Sequence, residues 1–165
     1  MSNQLITLIS NIAIALSFIV GLVFGIVQVR AATRDRRERL TLETLRYFQT
    51  REFAEHLVFV SSGPVICGYE EFQQLSDEDR ITFIQFGQEM ESLGLLVAEN
   101  FVNIDLVDKT LGSFVVTAWD RYKVLYQDIR EKQPDPFLGE YFQWLAERIE
   151  ERMRDNPRKP FHEKR

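Results

Sequence analysis

The pattern of hydrophobic and polar positions changes character once. From Leu5 to Val29 the chain reads LITLISNIAIALSFIVGLVFGIVQV, without a single charged residue. After Arg30, apolar residues recur every three or four positions among charged ones. At about 1.5 Å rise per residue, the first stretch predicts a helix long enough to cross a hydrocarbon core of roughly 30 Å. Lipid offers the backbone no hydrogen-bond partners, so a single segment crosses it as a helix.

The span is not uniform around its axis. At about 100° per residue, Thr7, Ser10, Asn11, Ser17, Gly21, Gly25 and Gln28 share one arc, with Ile14 and Phe18 as its large apolar members. Small residues let helix backbones approach, and Ser17, Gly21 and Gly25 extend a GxxxG pattern by one turn. The bland alternative is that glycine is simply common in membrane helices.

Beyond the span, nothing breaks a helix before Thr50, so the membrane helix is expected to run on into water. Thr50 can cap a short helix from Arg51 to about Val60, and Ser61-Ser62-Gly63-Pro64 stops it. Val65 to Leu75 reads as a loop or one helical turn. Ser76-Asp77-Glu78-Asp79 opens a helix, its acidic first turn matching the helix dipole. Ile81, Ile84, Met90, Leu93 and Val97 lie near one side of that helix, widened by Phe83, Phe86 and Leu96. Leu106 to Arg130 is helical again, with Gly112 as a point where it could kink or split. Gln133-Pro134-Asp135-Pro136 marks a boundary before a last helix, Phe137 to about Asp155. The expected fold is all-α: an N-terminal transmembrane helix continuing into a compact cytoplasmic bundle of about four to five helices. The expected domains are an anchor over 1–29, a helical domain over 30–156 and a disordered basic tail over 157–165.

Charge adds an orientation. Met1 to Gln4 carry no charged side chain, whereas Arg30, Arg34, Arg36, Arg37 and Arg39 follow the span closely. The positive-inside rule puts the N-terminus outside and the remainder in the cytoplasm. A cleaved secretory signal would need a basic start and a shorter apolar core. The arginines could touch anionic lipid, but Asp35 and Glu38 dilute them, and a topology signal on a solvated face is the plainer reading. The single cysteine, Cys67, permits no intrachain disulfide, in keeping with a reducing compartment. A net charge of -5 argues against a nucleic-acid partner.

Candidate chemistry is sparse. His56 and His162 are the only histidines, and Glu52-x-x-Glu55-His56 has neither zinc-binding spacing. No glycine-rich phosphate loop or nucleophile elbow occurs. No catalytic, cofactor-binding or metal-binding residue is assigned, and no cofactor is expected. Glu91, beside the apolar face made by Met90, Leu93 and Gly94, is the one carboxylate expected to be buried. Such a group has to be paired. Arg121, or else Arg130, is the expected partner, and such an ion pair predicts only a modest loss of stability for Glu91→Leu.

The segments RLTLETLRYFQTREFAEHLVFV, FGQEMESLGLLVAENFVNIDLV, LGSFVVTAWDRY and EYFQWLAERIE, following one span and an arginine-rich exit, carry a resemblance. Over about Ala31 to Glu150 the chain resembles the bacterial family of single-span membrane proteins catalogued as domain of unknown function 4760. The resemblance implies a helical cytoplasmic domain on a membrane anchor and a bacterial source, and brings no catalytic residues. The expected function is a non-enzymatic interaction or scaffold module in the bacterial inner membrane. Its expected partners are the lipid bilayer and a protein partner or a second copy. A tethered carboxylate enzyme and an oligomeric pore lined by the Thr7–Asn11–Ser17 face are the alternatives.

Overall fold

The computed structural model describes residues 2–132 and 135–163. Among these, six α-helices follow one another without a strand: α1 Ser2–Tyr47, α2 Arg51–Ser62, α3 Tyr69–Gln74, α4 Asp77–Ala98, α5 Ile104–Lys132 and α6 Glu140–Asp155. A short 3-10 turn, Phe161–Glu163, follows α6. The chain divides after Arg39 into two compact units.

The first unit is helix alone. Its large apolar side chains from Leu5 to Val29 are all exposed, from 46% at Ile26 to 73% at Phe18. A Cβ at Gly21 or Gly25 would meet nothing within 4 Å. This is one helix long and apolar enough to cross a membrane.

Local sequence sets the helix ends of the second unit. Thr50 Oγ1 accepts from Phe53 N at 3.3 Å and Ser76 Oγ accepts from Asp79 N at 3.1 Å, each satisfying a donor the first turn leaves free. Asn103 Oδ1 accepts from Asp105 N at 2.9 Å where α5 begins. At the end of α4, Asn100 turns left-handed (φ 59°), and the N–H groups of Phe101 and Val102 both return to Leu96 O.

The core lies where α4, α5 and α6 meet. Phe86, Met90 and Leu93 of α4 pack with Val115, Tyr122 and Leu125 of α5 and with Phe142, Leu145 and Ile149 of α6, all at most 1% exposed. Phe53 of α2 closes the cluster, edge-on to Phe114 at 5.8 Å. Tyr122 stacks on Phe83 at 3.8 Å and donates its hydroxyl to Phe83 O at 3.1 Å. Burial pushes this phenol well above its usual range, so it stays a neutral donor.

Three expectations are corrected. The buried face of α4 runs through Phe83, Phe86, Gly87, Met90, Leu93, Gly94 and Val97, while Ile81 and Ile84 are exposed. That set holds the spacing of three and four along the whole helix, which the two isoleucines do not share. Gly112 does not split α5, which runs unbroken from Ile104 to Lys132. It sits against α6, where a Cβ would come 3.0 Å from Met153 Cε and 3.3 Å from Ile149 Cγ2. The last helix begins at Glu140 rather than Phe137, because Asp135 accepts from Phe137 N to form a turn and Gly139 then takes a left-handed conformation, φ 70°. Gln133 and Pro134, half of the expected boundary, lie outside the described residues.

Candidate functional site: a cleft above a buried Glu–His pair

Gln85, Gln88, Glu89 and Ser92 recur at helical spacing along α4, so they share one polar stripe on an otherwise apolar helix. The end of α1 and the start of α2 face this stripe. Thr50 links the two, accepting from Phe53 N and donating to Tyr47 O at 2.8 Å, so a single residue fixes both entry and exit of the turn. Together these elements enclose a cleft of about 450 Å³, lined by Tyr47, Phe48, Glu52, Glu89, Leu93 and Leu96 among others.

Glu89 is the group around which the cleft is built. Its side chain is 13% exposed, and its Oε1 accepts the Tyr47 hydroxyl. His56 Nδ1 lies 3.0 Å from the same oxygen, and its side chain is 9% exposed. Glu89 Oε2 is buried and has no hydrogen-bond partner among the described residues. Sequence reasoning weighed His56 only as a metal ligand and missed Glu89. The polar stripe was the available signal, but nothing local tells that His56, 33 positions earlier, sits beneath it.

Three other charged side chains have a common role: each closes the end of a helix distant in sequence. Glu91 and Arg121, expected as a buried ion pair, are not paired. Glu91 accepts from Tyr141 N at 3.2 Å and Phe142 N at 2.8 Å, the first-turn donors of α6. Arg121 donates to Ser61 O at 2.6 Å and Gly63 O at 2.7 Å, one carbonyl in the last turn of α2 and one just beyond its end. Both arrangements follow from the dipole: an anion suits a helix start and a cation a helix end. Arg130 donates instead to Leu138 O and the Gln143 side chain, at 2.8 and 2.7 Å. Asp128 accepts from Tyr69 N at 2.7 Å and caps α3.

Asp108 is a further buried carboxylate. Arg158 donates to Asp108 O at 2.7 Å and stands 3.3 Å from Oδ1, with Arg152 Nε 3.9 Å from Oδ2. Arg158 belongs to the stretch expected to be a disordered tail, yet it is held here, because a buried carboxylate requires a cation. Among the described residues, no group of three His, Cys, Asp or Glu side chains could hold a metal ion.

Residues 15–149 match a family described as Domain of unknown function (DUF4760). The chain belongs to this family. The match takes in Tyr47, Glu52, His56 and Glu89, and the capping residues Glu91, Arg121 and Asp128, so the DUF4760 region contains the whole cleft and all three long-range caps. Neither the curated proteins nor the solved structures contain a match to the chain.

One cap of this DUF4760 protein makes stability depend on pH. The backbone N–H of Tyr69, and then Lys132 at 3.0 Å, hold the Asp128 carboxyl below its ordinary range. A depressed native pKa contributes stability that is present above the unfolded value of about 3.9 and is lost as pH falls through the native value. Asp128→Asn should therefore lower the urea midpoint at pH 7 and flatten its decline below about pH 4. Parallel curves for variant and parent across that range would show that Asp128 contributes nothing to acid sensitivity.

Proposed function

We propose that this DUF4760 chain is a single-pass protein of the bacterial inner membrane whose helical domain faces the cytoplasm and acts by binding, not catalysis. The observation that carries this reading is the exposure of every large apolar side chain from Leu5 to Val29. A contiguous apolar surface of that size needs lipid or another protein around it. The orientation rests on Arg30, Arg34, Arg36, Arg37 and Arg39 after an uncharged N-terminus. The binding role is supported by the surroundings of the one carboxylate that was expected to be buried: both oxygens of Glu91 are occupied by backbone N–H groups.

The partner is another protein or a second copy of this chain. Self-association would run through Ser17, Gly21 and Gly25, whose face is open. Fluorescence transfer between labelled chains in bilayers tests it. Gly21→Leu should weaken association by roughly an order of magnitude, and unchanged transfer would remove this face from consideration. A C-terminal tag digested from outside intact cells would reverse the orientation.

A further inference from the structure

We propose that the cavity between α3, α4, α5 and the turn before α6 binds a neutral aromatic molecule carrying one carbonyl group. The cavity holds about 380 Å³, within the range of small-molecule sites. Its walls are mostly apolar and include the rings of Tyr69, Phe72, Phe83 and Tyr126 together with Ile84 and Leu125. Tyr126 is only 9% exposed, yet its hydroxyl makes no hydrogen bond among the described residues. Tyr122, one turn earlier, donates to Phe83 O. The Tyr126 hydroxyl is not sealed: it retains accessible surface, and it lies beside Gly87, which lines the same cavity. A Cβ at Gly87 would lie 2.3 Å from the Tyr126 oxygen, with the next atoms 3.6 Å away. Glycine at 87 therefore makes room for the one atom that a phenylalanine would lack. A donor kept in such a place, withdrawn from water and unpaired, matches an acceptor on a bound molecule.

The surroundings of that hydroxyl define the ligand. Burial, and then the charge of Glu91, push the Tyr126 phenol above its ordinary range, so it stays a neutral donor. No lysine or arginine lines the cavity to hold an anion. Glu91 lines it, but each of its oxygens already accepts a backbone N–H of α6, and the Arg130 charge reaches the phenol with opposite sign. An uncharged ligand fits this balance. Phe72 stands 5.6 Å from Phe83 and 6.5 Å from Tyr69, a run of rings that suits a flat aromatic body. A carbonyl oxygen on that body supplies the acceptor for the single donor. This inference is independent of the membrane reading: the cavity lies wholly within the unit that begins at Leu40.

The test follows thermal unfolding of the full chain in uncharged detergent micelles by calorimetry. The probes are acetophenone and 2-acetylnaphthalene. Their controls are α-methylstyrene and 2-isopropenylnaphthalene, which keep the shape, replace the carbonyl oxygen by a methylene and enter micelles more readily. The anionic control is 2-naphthoate. At least one ketone should raise Tm saturably by several degrees, as a ligand bound only to the folded state does. Its hydrocarbon counterpart should bind at least about fivefold more weakly, and 2-naphthoate should not bind. Tyr126→Phe removes an unpaired donor, so it should leave Tm of the unliganded chain unchanged or higher, and it should erase the preference for the ketone. Ile84→Trp fills the cavity from its rim, where Ile84 is 48% exposed, and should abolish the shift. Val58→Trp, at a 61% exposed position of α2 that does not line the cavity, should leave it intact. If Tyr126→Phe does not fold, the ketone and hydrocarbon pairs and Ile84→Trp still decide. No saturable shift from either ketone, equal binding of its hydrocarbon counterpart or of 2-naphthoate, a ketone preference that survives Tyr126→Phe, or binding that survives Ile84→Trp would each overturn the proposal.

Discussion

Gly94→Ala is expected to be the most damaging single-methyl change in the helical domain, lowering Tm of the full chain by about 10 °C or more. A Cβ at this position would lie 2.2 Å from Tyr141 O and 2.5 Å from Tyr141 C. Both atoms are backbone, so no rotamer change relieves the overlap, and α4 and α6 must move apart. They cannot do so cheaply, since Leu93 of α4 and Phe142 and Leu145 of α6 are completely or almost completely buried around the contact. Overpacking of a dense core costs about 1–3 kcal/mol and sometimes more. We take the upper end, about 3 kcal/mol, which in a domain of this size corresponds to about 10 °C. Near-ultraviolet circular dichroism of Trp119 and Trp144 reports the loss directly. Gly21→Ala is the matched control, because a Cβ there meets nothing within 4 Å and alanine favours the helix. An unchanged melting curve for Gly94→Ala would mean that the two backbones do not approach so closely.

Glu91→Ala is expected to cost about 3 kcal/mol, far more than the modest loss an exchangeable ion pair would predict. The carboxylate satisfies two first-turn donors of α6, and the residue at the capping position itself offers no side chain. Hydrogen bonds to charged groups contribute about 1.5–3 kcal/mol each, and removal orphans partly buried N–H groups. Loss of the anion also forfeits its attraction to the helix start. Glu91→Gln keeps one acceptor oxygen and should recover part of the loss. A local substitute is not open to the chain: Gly139 is left-handed, and a Cβ there would lie 2.2 Å from Tyr126 Cε2, so serine at 139 cannot cap α6 in place of Glu91. Urea unfolding at pH 7 gives the measurement. If Glu91→Ala and Glu91→Gln behaved alike and near the parent, the cap would not be holding α6.

How far the fold was legible depended on how local its causes were. The caps at Thr50 and Ser76 act across three residues, and both helix starts could be read directly. The start of α6 could not, because its cap comes from Glu91, 50 positions earlier, and its turn depends on what Gly139 faces. The period along α4 also held two solutions. Ile81 and Ile84 look as apolar as Phe83 and Phe86, and only contact with Phe72 and Tyr122 decides that the phenylalanines point inward. The candidate site was the least legible part. Glu89 is one polar residue in a stripe of four, and its burial depends on Tyr47 and His56 arriving from other helices.

The sequence by itself determined the apolar segment, its small-residue face, the arginines that follow it and the wholly helical character of the remainder. These depend on runs and periods that repeat within one or two turns, where the backbone satisfies itself. Only the tertiary structure decided which charges cap which helix ends, which glycines are contact points, and that an acidic cleft forms over Glu89. Those outcomes join residues 30 to 60 positions apart, and what each charged group pairs with is set by the donors and acceptors that packing leaves exposed to it.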